Sequence, residues 1–146
     1  MPNGYNGPGV TNCYDYAFAR GEGCSSGPYL GAKGLTDHKS VRSKTTYANP
    51  MDAQGQYGPG DWLVTSGGHA GYVNDQGRID HYHQYSDGKT YKSGQRYLDP
   101  NNMPPEDANG MGGLRTNDDL YNFLHSGDRY HPSRPFGGNV QVLRRR

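Results

Sequence analysis

Apolar residues are what this chain has least of. They make up 31% of 146 residues, and the mean hydropathy is −1.05. No apolar run approaches the roughly 20 residues that a membrane-crossing helix needs, so no membrane partner is expected. Cysteine is nearly absent: Cys13 and Cys24 are too few for a disulfide scaffold. Helix-forming Ala, Leu and Glu are sparse, while 23 Gly and 10 Pro interrupt the chain, which excludes a coiled coil or helical bundle. Charge of one sign is also lacking. The balance is +1, which argues against a general nucleic-acid binder. Disordered chains are usually aromatic-poor and strongly charged. Here aromatics reach 12%, with 13 Tyr, so one loop-rich domain spanning 1–146 with a partly Tyr-built core is expected.

The opening MPNGYNGPGV lacks the basic start and apolar stretch of a signal peptide. Residues 1–11 read as a linker remnant. From Asn12 the text becomes NCYDYAFAR, a helix with Asn12 as N-cap and Asp15 in the first turn. Cys13, Tyr16, Ala17 and Arg20 fall on one face, and Gly21 and Gly23 are expected to stop the helix. Residues 21–60 show no sustained period and read as long loops with a short helical turn. Strands are predicted at 61–66, 69–74 and 78–85, with a fourth at 89–92. Residues 99–114 read as loop, 117–125 as a second helix and 139–143 as a last strand.

The turn Asp75-Gln76-Gly77 suits a three-residue hairpin loop with a left-handed Gly. In that register Asn74 faces Arg78, Gly71 faces His81, and His69 faces His83. Side chains alternate along a strand, so His69, His81 and His83 share one face. A two- or four-residue loop would instead group His69 with Asp80 and Tyr82.

A thiol in the first turn of a helix has its pKa lowered by the dipole and the free N–H groups. A nearby imidazole pairs with it as base, and a third polar group fixes that ring. Cys13 as nucleophile, His69 as base and then acid, and His81 as orienter make such an acyl-transfer site. His83 and Asp80 are the alternative orienters.

The segments NCYDYAFAR, PGDWLVTSGGHAGYV and GRIDH resemble the papain-like cysteine hydrolases of the NlpC and CHAP type. These are cysteine- and histidine-dependent amidohydrolases and peptidases. The resemblance covers roughly residues 12–20 and 58–92. It implies an α+β fold, with the nucleophile helix packed on a small antiparallel sheet. It also implies cleavage of amide bonds in cell-wall peptides or in a target-cell protein, without a cofactor or metal. Relatives of this kind include secreted toxins and phage lysins. That suggests release by a specialised secretion route, a peptide or protein substrate, and an immunity or inhibitor protein as partner. Tyr14 and Asp15 stand where the family has small residues, which leaves the substrate open. The oxyanion donors implied are the Cys13 N–H and a side chain among Tyr5, Asn6 and Asn12.

Plainer readings compete. Cys13 can be a small buried hydrophobe, or bridged to Cys24, itself an incidental loop thiol. His81 and His83, joined by His69, have the spacing of a zinc site. The same cysteine and histidine would serve a transamidase or deamidase. The histidines alone would suit a small nuclease toxin, and the Tyr-rich loops a binding module. His38, His125 and His131 are expected at the surface, residues 144–146 as a solvated tail, and Trp62 in the core.

Overall fold

The computed structural model describes residues 12–24, 30–84, 113–127 and 138–146. The expected linker at 1–11, the strand at 89–92, most of the loop at 99–114 and His131 lie outside these residues.

Asn12 opens helix α1 (Cys13–Glu22), its side-chain oxygen accepting the Asp15 N–H at 2.9 Å. The helix runs through Gly21 and ends at Gly23, whose φ of 83° is the left-handed cap that Gly adopts without strain. Cys13, Tyr16 and Ala17 are buried as the spacing predicts, and Arg20 continues their face. Residues 21–60 hold more structure than expected: α2 (Ala32–Thr36), β1 (Ser43–Tyr47) and a 3-10 turn (Pro50–Ala53). Strand β1 escaped prediction for a physical reason. Its residues 43–46 are all exposed, so no alternation marks it.

Four further strands follow the pattern of the sequence: β2 (Trp62–Thr65), β3 (His69–Val73), β4 (Ile79–Gln84) and β6 (Val140–Arg144). The predicted helix at 117–125 is corrected. Residues 113–118 form β5 (Gly113–Asp118), so Gly113 and Leu114 are not loop. Asp119 then caps a shorter α3 (Leu120–Leu124) by accepting the Asn122 N–H at 2.8 Å. The acidic run divides because Asn117 and Asp118 pair with Asp80 and Ile79 of β4, leaving only Asp119 to cap.

The six strands form one antiparallel sheet, in the order β1-β6-β2-β3-β4-β5. The fold is therefore α+β. The β3–β4 register is the three-residue one: Gly71 pairs with His81 and Val73 with Ile79. Gly77, at φ 75°, donates to the Asn74 carbonyl at 2.9 Å, and Asn74 Oδ1 accepts the N–H groups of Gln76 and Arg78.

Alternation gives the sheet two covered faces. One carries Trp62, Val64, Ala70 and Leu143 beneath Ala17 of α1 and Leu35 of α2. The other carries Leu63, Val73, Ile79, Val140 and Val142 beneath Leu120, Phe123 and Leu124 of α3.

The chain end is not a solvated tail. Arg145 lies over the Trp62 ring at 3.9 Å, donates to the Gly60 carbonyl and Ser40 Oγ, and pairs with Glu22. Burial pushes its guanidinium pKa down, while Glu22, Tyr72 and Asp61 draw it back up. The wholly buried Asp61 carboxylate accepts the N–H groups of Gly58 and Arg145 and pairs with Arg146. His38 is half-buried rather than fully at the surface: its ring sits edge-on to Phe18 and Trp62, with Nδ1 2.8 Å from Ser40 Oγ. His125 is exposed, as expected.

Asp61→Ala would strand two backbone donors and unpin the chain end. It should lower stability by about 2–4 kcal/mol, read from the urea midpoint.

Candidate active site

His69 and His81 face the same side of the sheet, on the first and second strands of the hairpin. Both are almost completely buried, with relative exposures of 1% and 0%. His69 Nε2 lies 2.9 Å from His81 Nδ1, and the rings meet edge to face. Phe123 of α3 covers the pair, stacked on His69 at 5.3 Å and edge-on to His81 at 5.1 Å. Gly71 makes room for it: a Cβ there would sit 2.9 Å from Phe123 Cε1. The His69 N–H donates to Thr65 Oγ1, fixing the start of β3.

His81 is held from its far side as well. Its Nε2 lies 2.7 Å from Asp118 Oδ2 and 2.8 Å from Thr116 Oγ1, both on β5. Neither residue is singled out by the sequence, because Asp118 falls inside the stretch that reads as a helix and Thr116 just before it. Their two-residue spacing, Thr116-x-Asp118, was the signal available. It places both on the face of His81 once 113–118 is taken as a strand.

Helix α1 packs on the opposite face. Cys13 lies at the end of the sheet where β3 begins. Its Sγ lies 3.9 Å from the carbonyl oxygen of Gly68, which directly precedes His69 in the chain. The thiol is buried, and Cys13 and Cys24 are not bridged to each other. Asn12 is committed to local structure. Besides capping α1, it donates from Nδ2 to the Leu30 carbonyl at 2.9 Å, while the Leu30 N–H donates to buried Asp15. Asp15 thus clips the chain across the start of α1 at the position where small residues were expected.

Asp80 is corrected as an orienter. Alternation turns it to the α1 face, where it pairs with Arg20 at 2.6 Å and accepts from Asn74 Nδ2 at 3.1 Å. Its carboxylate and the His69 ring are on opposite sides of the sheet. His83 continues β4, its backbone paired with Leu114, and its side chain lies outside the described residues. Tyr5 and Asn6 also lie outside them. Among the described residues, no group of three or more His, Cys, Asp or Glu is arranged to hold a metal ion.

Comparison with known protein families, with curated proteins and with solved structures finds no match to any of them.

The face assignment is testable at Asp80. Asp80→Asn should weaken the Arg20 contact and lower stability by about 1–3 kcal/mol. It should leave the ring-nitrogen NMR signals of His69 and His81 unchanged, because its carboxylate lies on the other face of the sheet from both rings.

Proposed function

We propose that this protein is a cysteine amidase or peptidase of the papain-like NlpC/CHAP kind, with Cys13 as nucleophile, His69 as base and His81 as orienter. The observation that carries this reading is the buried His69–His81 hydrogen bond, set one residue from the carbonyl that the Cys13 thiol contacts. Any buried imidazole needs partners for its ring nitrogens. A general base gains more from such a partner than satisfaction, because the ring must hold its plane and tautomer while a proton comes and goes.

The chemistry follows from those positions. Sγ gives its proton to His69, and the helix start favours the thiolate. The thiolate attacks the substrate carbonyl carbon, and the carbonyl π pair moves to oxygen. The Cys13 backbone N–H is the donor assigned to that oxyanion. Collapse expels the amine, which takes the proton from His69, and leaves a thioester on Cys13. Water, deprotonated by His69, attacks the thioester. The acid is released and Sγ recovers its proton. No cofactor is needed.

The substrate in this reading is a peptide amide, in a cell-wall peptide or in a target-cell protein. A delivered toxin with a cognate inhibitor protein fits that use. An acceptor amine in place of water would turn the same thioester into a transamidation.

Two measurements test the assignment. Iodoacetamide at mildly acidic pH should label Cys13 at least about tenfold faster than Cys24, since the thiolate is the reactive form. Equal, slow labelling would overturn it. Cys13→Ala should abolish release of new amines from purified peptidoglycan or a protein substrate, while the melting temperature stays within a few degrees of wild type. Full activity in that variant would sink the reading.

A further inference from the structure

We infer that Asp118 is the positioning residue that decides which nitrogen of each buried histidine carries the proton. The inference rests on the cysteine hydrolase reading only for its effect on Cys13. The tautomers themselves follow from the ring and carboxylate geometry.

An ionised carboxylate only accepts hydrogen bonds. Asp118 Oδ2 is 2.7 Å from His81 Nε2, so that nitrogen must carry hydrogen. A neutral imidazole has one N–H, which leaves His81 Nδ1 with a lone pair. That lone pair faces His69 Nε2 at 2.9 Å, so His69 Nε2 must be the donor across the gap. Its Nδ1 is then the nitrogen that carries the lone pair, the one able to take a proton from a thiol. The orientation of one carboxylate is thus read through two rings to the atom that acts as base.

Thr116 reinforces the direction. Its hydroxyl oxygen is 2.8 Å from His81 Nε2 and 3.4 Å from Asp118 Oδ2. It can accept from the ring N–H while donating to the carboxylate. All four groups are buried, and low local dielectric strengthens each link. When His69 is protonated, its Nε2–H still points at His81 Nδ1, and the positive charge faces a chain that ends on a carboxylate. A protonated Asp118 would do the reverse. It would donate to His81 Nε2, put hydrogen on His81 Nδ1, and leave His69 protonated on Nδ1, a donor unable to act as base.

The experiment is long-range proton–nitrogen NMR of uniformly labelled wild-type protein near neutral pH, read beside Cys13 alkylation rates. Both rings should appear as Nε2–H tautomers. Nδ1–H on either neutral ring overturns the inference. Asp118→Asn keeps the shape and removes the charge. It should slow Cys13 alkylation by at least about 10-fold, since the carboxylate that sets a catalytic histidine's tautomer is lost, with circular dichroism unchanged. Thr116→Val should give a smaller slowing in the same direction. If Asp118→Asn alkylates at the wild-type rate while His69→Ala does not, Asp118 has no positioning role. If neither variant changes the rate but both rings are Nε2–H, the Asp118 chain stands and the pairing of Cys13 with His69 falls.

Discussion

Everything about the candidate site depends on the register of one hairpin. Asn74 and Gly77 close a three-residue turn, and that turn sets Gly71 opposite His81. A slip of one residue would exchange His81 for Asp80 or Tyr82 on the inner face. The His69–His81 bond would vanish, and a carboxylate would be pressed against Phe123. The turn is therefore over-determined, with two backbone bonds across it and the Asn74 side chain accepting two more from inside.

Burying two imidazoles and a carboxylate in a small core is costly unless each polar atom has a partner. The structure meets that condition with neighbours that are close in the sheet and distant in the chain. β5 supplies Thr116 and Asp118, β3 supplies His69, and α3 supplies the aromatic lid. Each strand presents only its alternate residues to this face, so the cluster assembles without a single loop. The other face has a different task. There Trp62, Arg145 and Asp61 tie the chain end to α1, and Arg20 with Asp80 ties α1 to β4.

The sheet thus separates two kinds of charge pairing. The Arg20–Asp80 pair on the α1 face holds the helix that bears the thiol. The Asp118–His81–His69 chain on the α3 face ties β5, β4 and β3 together through buried side chains. Between the two faces, the Cys13 thiol at the start of α1 contacts the Gly68 carbonyl, one residue before His69 opens β3.

Much was legible in the sequence, because local rules decide it. Asn12 caps α1 by reaching three residues on. Asp75-Gln76-Gly77 fixes a turn within five residues, and alternation then assigns His69 and His81 to one face. What the sequence left undetermined involves partners far away in the chain. Asn117 and Asp118 have the local character of a helix start, and pairing with β4 overrides it. β1 exposes residues 43–46, so no alternation of buried and exposed positions marks it. Arg145 and Arg146 look like a solvated tail until Trp62 and Asp61, some eighty residues earlier, are placed beside them. Local hydrogen bonding and periodicity can be read along a chain, whereas the partner of a buried charge is decided by which strand comes to lie next to it.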